Sequence, residues 1–503
     1  MRFDSLARRL REMDPEVRVT ARRPFTVTDI CDDSRNVKPG ALFAAVSGTK
    51  QDGTQYIKEA IVRGAKALLV SREMPEFELP QIVSPHVRRT LSLVAAAFFG
   101  EPALDLRLVA VTGTKGKTTS AFLMRHLMQH VGVPCGLIGT VFNITGSEQK
   151  GQEAHMTTPG AIEIQRLLAT MRDNGLKACA MEVSSHALDQ DRCAALSFEG
   201  AVFTNLTHEH LDYHKDMESY FTAKARLFEL LAADGTGVVN LDNSFGERMA
   251  GKANGRALRV GTQDGADVLI HDIELGVDGM KFAIRWPDVT VRFETSLTGR
   301  FNAMNIAEVI VLGRALGMPL QVMREAVAAF RGAPGRLERV QSNAGPTVFV
   351  DYAHAPDALE QVLQTVREIC VGRRLTCIFG CGGDRDRTKR PKMGAIAANI
   401  AGRVIVTSDN PRTEDAHAII AEIVGGIPAQ KLPVEQIVDR REAIELAIRE
   451  ARPDEVIVIA GKGHEDYQIF KDRTVHFDDR EEAAAALKLY WRGVRSVAAV
   501  PAA

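Results

Sequence analysis

One segment constrains the chain more than any other: LRLVAVTGTKGKTTSAFLMRHLMQHVG, residues 106–132. A short apolar run, a glycine-rich turn and a stretch with apolar residues at helical spacing follow one another. That is the order of a buried strand, a loop and a helix. Backbone N–H groups in such a loop converge on phosphate oxygens, and the helix N-terminus adds partial positive charge. The expectation is a nucleotide site over Gly113, Thr114, Lys115, Gly116, Lys117, Thr118 and Thr119. Lys117 is placed to reach the β/γ-phosphates and the Thr118 hydroxyl to ligate Mg²⁺. The turn departs from the general G-x-x-x-x-G-K-[ST] pattern, whose first glycine would fall at Val111.

Strand-like ACAMEVSS (178–185) and GAVFTNL (200–206) follow, separated by helical stretches. Strands alternating with helices predict a parallel sheet with crossover connections. At about 150 residues per domain, 503 residues predict about three domains. Ahead of the loop segment, ALFAAVSG (41–48) and KALLVS (66–71) read as strands. QYIKEAIVRG (55–64) between them reads as a helix ended by Gly64, and LSLVAAAFFG as a helix closed by Gly100. Pro102 marks one boundary and APGRLE (333–338) a second. Beyond it TVFVDYAH, RLTCIFGCGG, GRVIVTSD and DEVIVIAGKG read as strands, with VEQIVD a shorter fifth, which predicts a doubly wound domain. Polar patterning over 251–295 suggests an antiparallel insertion, and the chain divides into 1–102, 103–333 and 334–503.

Composition excludes more than it assigns. The 63 basic and 64 acidic residues balance to −1, which argues against a general nucleic-acid binder but leaves anionic small substrates open. Within that balance DRDRTKRPK (384–392) carries five basic and two acidic residues, a local +3. Seven scattered cysteines are no disulfide framework, and Cys377 and Cys381 read as buried strand-end thiols. The N-terminus lacks an apolar signal core, and the longest apolar run, Leu91–Phe99, falls short of the ~20 residues that span a bilayer. The expected place is the cytosol, with no membrane partner.

A nucleotide site needs something to act on. MEVSSHALDQDR (181–192) sets Glu182 at a strand end, with Ser184, His186 and Arg192 beyond it. NLTHEHLDYH (205–214) does the same with His210 and Asp212. Strand ends of an open α/β sheet form the ligand crevice, so Lys117, Glu182 and His210 are expected to converge there. The zinc pattern H-E-x-x-H fails, because position 212 is Asp.

Taken in order, GTKGKTT, TTP (157–159), MEVSSHAL, NLTHEHLDYH and YFTAKARLF (220–228) closely resemble the Mur ligase family. GRFNAMN (299–305), PGRLERV (334–340), VDYAHAPDAL (350–359), FGCGGDRD, DNPR (409–412) and GKGHEDYQ continue the resemblance. The first hundred residues carry it mainly at DDSR (32–35) and ALFAAVSG. These are the ATP-dependent amide ligases that build the peptidoglycan stem peptide, and the pattern is that of the branch adding its third residue.

The resemblance implies three α/β domains: an N-terminal UDP-sugar-binding domain, a central P-loop-like parallel-sheet ATPase domain and a C-terminal Rossmann-like domain. It implies ATP and Mg²⁺ as cofactors, and UDP-MurNAc-L-Ala-D-Glu and meso-diaminopimelate as substrates of a monomer that binds no nucleic acid. The γ-phosphate of ATP passes to the terminal carboxylate, and the incoming amine attacks the acyl phosphate. Thr118, Glu182 and His210 match metal ligands, and Lys224 matches a carbamylated lysine. Lys117, Glu182, His210 and Lys224 make up the catalytic set. Asn302 matches an adenine contact, and Arg336 and Asp351 contacts to phosphate and ribose. Ser34, Thr157, Thr158, Ser184, Gln190 and Arg192 match positions around the UDP-sugar, with residues 49–51 in the uridine region. Arg385, Asp409, Asn410, Pro411, Arg412, Gly461 and Glu465 match the amino-acid pocket.

DNPR favours diaminopimelate over L-lysine, because a guanidinium clamps the second carboxylate bidentately and repels an ammonium. An L-lysine-adding or folate-extending ligase is the nearest alternative. An NTP-hydrolysing switch predicts N-K-x-D and D-x-x-G motifs that the chain lacks. A non-catalytic UDP-sugar binder leaves Lys117, Thr118 and Glu182 without work.

Overall fold

The structure is a computed structural model that describes residues 1–20, 25–48, 52–147, 151–154, 156–340, 345–428 and 434–498. The chain divides into two compact units. One comprises Met1–Ile270, Arg285–Val289 and Met304–Ala326; the other comprises His271–Ile284, Thr290–Ala303 and Val327–Ala503.

The first unit contains two sheets. In the N-terminal one, strands Ile30–Cys31, Leu42–Ala44, Ala67–Val70 and Gln81–Val83 run parallel in that order, and Arg18–Val19 adds an antiparallel edge. Its apolar core packs helices Phe3–Met13 and Val87–Phe98 on one face. The helix expected over 55–64 is split. Asp52 accepts from the Thr54 N–H and starts a 3₁₀ turn, Gly53–Tyr56, before helix Ile57–Val62. Gly64 ends it as expected, at a φ of 107° that favours glycine.

In the central sheet the order is Arg256–Gly261, Leu231–Asn240, Phe198–Phe203, Arg107–Thr112, Ala178–Glu182 and Cys135–Ile138, all parallel. Phe142–Ile144 and Gln152–Glu153 follow antiparallel. Strand Arg107–Thr112 precedes both its neighbours in sequence and is buried from Leu108 onward. The chain winds away from it in both directions, which puts the topological switch point, and hence the ligand crevice, at its carboxyl end. The antiparallel insertion expected over 251–295 needs correcting at its start: Arg256–Gly261 pairs parallel with both neighbours. Only residues 268–295 run as three successive strands, Val268–Gly276, Gly279–Arg285 and Thr290–Thr295, joined by tight connections.

The second unit holds the six-stranded sheet Glu338–Arg339, Thr347–Asp351, Val456–Ala460, Leu375–Phe379, Arg403–Thr407 and Val434–Ile437, parallel except at its first strand. Alternate residues serve opposite faces. Phe349, Phe379, Val404 and Val458 join one core, and Val348, Ile378, Ile405 and Ile457 the other. Burial on both faces is what near-continuous apolar strands require, and the expected doubly wound arrangement results. Cys377 and Cys381 are buried, as expected. Among the described residues no helix is long and apolar enough to cross a membrane.

Candidate active site

Strand Arg107–Thr112 runs into the loop Gly113–Gly116 and helix Lys117–His130. Gly113 and Gly116 sit at φ 155° and 89°. A Cβ on Gly113 would lie 1.9 Å from Thr204 Oγ1, and one on Gly116 2.4 Å from Asn305 Oδ1. Neighbouring side chains therefore occupy the space that any other residue needs. Lys117 Nζ turns back over the loop and donates to the carbonyls of Gly113 (2.8 Å) and Thr114 (2.9 Å). Lys224, in helix Met217–Glu229, reaches the same Gly113 carbonyl at 2.9 Å and is 1% exposed. Burial, and then Lys117, push the Lys224 amine well below its ordinary range. Two lysines thus meet at one carbonyl, and burial shifts the inner one towards easier loss of its proton.

Glu182 ends the adjacent strand fully buried. Its carboxylate accepts from the Thr118 hydroxyl (2.9 Å), the Thr140 N–H (2.8 Å) and the Thr140 hydroxyl (3.0 Å). The loop and the strand-end carboxylate thus meet through Thr118. Among the described residues no group of three His, Cys, Asp or Glu could by itself hold a metal ion. His210 has a left-handed backbone (φ 58°), and its ring packs edge-on to Tyr220 (6.0 Å) and His186 (5.2 Å). The Tyr220 hydroxyl lies 3.2 Å from Thr114 Oγ1, which links the histidine cluster to the loop.

Thr157 Oγ1 lies 3.1 Å from the Thr140 hydroxyl, and Thr158 donates to the Glu182 backbone carbonyl at 2.9 Å. Ser184 donates its N–H to Thr158 Oγ1 and caps helix Ser185–Asp189. Arg192 bridges Gln190 Oε1 (2.7 Å) and the Thr158 carbonyl (2.7 Å). Thr157, Thr158, Ser184, Gln190 and Arg192 thus form one connected patch beside Glu182. Ser34 lies instead in the 3₁₀ turn Ser34–Asn36 after strand Ile30–Cys31 of the N-terminal sheet, donating to Glu59 at 2.8 Å. Residues 49–51 lie outside the described residues.

The second unit carries the remaining positions. Asn302 is buried and donates to the Thr298 carbonyl. Asp351 accepts from the N–H groups of Leu337 (2.6 Å) and Ala353 (2.8 Å), while burial pushes its carboxyl up against the pull of Arg336. The Arg336 guanidinium stacks 5.1 Å from the Tyr352 ring.

At the next strand ends, Asp409 accepts from its neighbour Asn410 N–H, and Asn410 donates to Glu465 at 2.9 Å. Gly461, at φ 118°, leaves no room for a Cβ beside Asp409, 2.7 Å away. Arg412 Nη1 donates to the Gly383 carbonyl across a turn that the Pro411 carbonyl closes. A Cβ on Gly382 would lie 2.9 Å from Arg412 Nη1 and 3.7 Å from Arg385 Cγ, so both arginines border this one glycine. The local +3 of DRDRTKRPK is absorbed elsewhere. Arg390 is fully buried and bonds Glu414 and Glu422, Arg387 pairs with Glu422, and Lys389 donates to the His354 carbonyl.

Sequence reasoning passed over Thr140, Asn305, Tyr220 and Lys462. Lys462 is fully buried, with Nζ 3.1 Å from Asn410 Oδ1 and 3.3 Å from Glu465 Oε2. A lysine inside GKGHED and an asparagine ending GRFNAMN were visible signals; Thr140 carried none, being recruited from a distant segment.

A glycine-rich loop wired to a buried carboxylate at the switch point of a parallel sheet is the arrangement of a nucleotide-dependent enzyme. Residues 111–313 match the Mur ligase middle domain, 335–463 the Mur ligase glutamate ligase domain, and 26–99 the Mur ligase family catalytic domain. The UDP-N-acetylmuramoyl-L-alanyl-D-glutamate–2,6-diaminopimelate ligase of Synechococcus elongatus is 46% identical over 472 residues, covering 92% of this chain and 94% of that protein. The ligase of the same name from Geobacter metallireducens is 45% identical over 91% of this chain and 93% of its own length. A solved structure of a ligase with that name is 34% identical, with a TM-score of 0.72 over 95% of this chain and 98% of that one. The chain belongs to the Mur ligase family, the ATP-dependent enzymes that form amide bonds.

Proposed function

We propose that this enzyme joins meso-diaminopimelate to the D-glutamyl carboxylate of UDP-MurNAc-L-Ala-D-Glu through an acyl phosphate. The observation that carries this reading is the polarity of the second-unit pocket. Arg385 and Arg412 border Gly382, while the Glu465 carboxylate is held by Asn410 and Lys462. The two guanidiniums match the distal carboxylate that distinguishes diaminopimelate from lysine. The identity to diaminopimelate ligases supports the same substrate.

In this reading residues 1–102 hold the UDP-sugar, 103–333 the ATP and 334–503 the amino acid. The loop N–H groups and Lys117 stabilise charge on the transferring phosphoryl group. Thr118 and Glu182 offer hard oxygen donors suited to Mg²⁺. An ion held there would supply neutralisation of the negative charge on the phosphates. Lys224, whose amine burial pushes down, would add CO₂ with loss of a proton to become a carbamate, and with His210 would hold a second ion. Asn302 contacts adenine, and Arg336 and Asp351 contact phosphate and ribose. Ser34, Thr157, Thr158, Ser184, Gln190 and Arg192 hold the UDP-sugar peptide. Asp409, Asn410, Pro411 and Gly461 shape the pocket in which Arg412 selects the distal carboxylate. The enzyme works as a cytoplasmic monomer, without nucleic-acid or membrane partners.

The test is substrate-dependent ADP and phosphate release by purified enzyme. Release should require UDP-MurNAc-L-Ala-D-Glu and meso-diaminopimelate together. ATP hydrolysis that needs neither would sink the ligase reading. Equal turnover of L-lysine would remove Arg412 as the selector.

A further inference from the structure

Four parallel strands of the N-terminal sheet end on the same side, and their carboxyl ends carry Asp32, Ser47 and the start of helix Val87–Phe98. Ligand crevices of open parallel sheets lie at such ends. Arg88 sits in the first turn of that helix and donates to the Ser47 carbonyl at 2.8 Å. One turn further, on the same helix face, the Ser92 hydroxyl touches the Arg192 carbonyl and the Ala195 N–H, both at 3.2 Å. Arg88 therefore faces the segment that carries Arg192.

The partners of the two guanidiniums are all neutral. Arg88 has the Ser47 carbonyl; Arg192 has Gln190 Oε1, the Thr158 carbonyl and Met156 Sδ. Neither forms an ion pair among the described residues. Arg88 repels Arg192, and Asp32 is the carboxylate that acts on both. Asp32 is exposed at its strand end, and the protein around it pushes its carboxyl up. The other nearby acids are engaged: Asp189 accepts from Tyr213, and Asp191 pairs with Arg226. Two cations and the one carboxylate that acts on both leave positive charge for an anion.

We propose that Arg88 is a binding residue for the diphosphate of the UDP-sugar substrate, acting opposite Arg192. This rests on the UDP-sugar reading of the same site, with Arg192 as its reference. Arg88 has a charge-assisted contact to give and forms no ion pair among the described residues.

The test uses the full-length enzyme with UDP and uridine as calorimetric probes, beside steady-state kinetics. Arg88→Ala should weaken UDP binding and raise KM for UDP-MurNAc-L-Ala-D-Glu by on the order of tenfold or more. Uridine affinity, KM for ATP and kcat should hold, and Arg88→Lys should restore part of the loss. Arg88→Gln, which keeps a donor for the Ser47 carbonyl, should bind UDP as weakly as Arg88→Ala if the charge matters. Wild-type UDP affinity in Arg88→Ala, with affinity lost in Arg192→Ala, overturns the inference and leaves the functional reading standing. An equal loss for uridine overturns it too, since Arg88 would then act on the nucleoside or the fold. No binding of UDP or the UDP-sugar to the wild type takes down both.

Discussion

Gly113 shows how narrowly the phosphate loop is specified. A Cβ there meets Thr204 Oγ1 at 1.9 Å, so Gly113→Ala must displace the loop or the strand end behind it. ATP affinity measured by calorimetry should fall at least tenfold. Gly132 has a φ of 80° with nothing within 4 Å of where a methyl group would sit, and Gly132→Ala should cost only about 1–2 kcal/mol and leave ATP binding intact. Arg412 makes the corresponding case for the amino-acid pocket. Arg412→Ala should raise KM for meso-diaminopimelate by tenfold or more with KM for ATP unchanged. Arg412→Lys should not restore it, because an ammonium cannot reproduce the bidentate fork. Lys117, Thr118 and Glu182 were legible because a motif places them on the chain beside their strand ends. Thr140, which gives Glu182 two of its three side-chain hydrogen bonds, was not, because its role exists only where two strand ends meet.

Helices here act through their ends. Arg440 opens helix Arg440–Arg449 and Asp479 opens helix Asp479–Ala498, and the two form a fully buried pair with 2.7 Å bonds. The same guanidinium donates to the carbonyls of Ser408 and Ala460, the residues just before Asp409 and Gly461. Arg440→Ala leaves Asp479 buried and unpaired, and chemical denaturation should show a loss of about 3–5 kcal/mol. His464 adds a pH dependence. Burial, reinforced by Arg336 and Arg480, pushes it down to about 4 from the ordinary 6.5. As pH falls through that window the unfolded chain takes up a proton that the folded one refuses, so stability declines from about pH 6.5 to about pH 4. Denaturation at several pH values should show His464→Gln with a slope shallower by up to about one proton. The strands of this sheet were legible from their apolar runs, but the basic run 384–392 misled. Its charge reads as free in sequence and is largely consumed by Glu414 and Glu422 from another segment.

Across the whole molecule the proposed ligands divide between the two units, which hydrogen exchange can map. UDP-MurNAc-L-Ala-D-Glu should slow exchange in residues 157–158 and 184–192, and meso-diaminopimelate in 409–412 and 461–469. Protection of the first set by diaminopimelate alone would contradict the assignment. By itself the sequence determined the three α/β sheets, the glycine-rich loop and the strand-end positions of Glu182, Asp351 and Asp409. Those features follow from local periodicity and from the rule that parallel sheets present ligands at their carboxyl ends. Tertiary structure alone decided which cations stay available. Arg390 and Arg440 are buried against acids, Lys462 is turned onto Glu465, and Arg88 and Arg192 are held by neutral acceptors. Charge belongs to a residue, but its neutralisation depends on partners tens of positions away in the chain, which only folding brings within bonding distance.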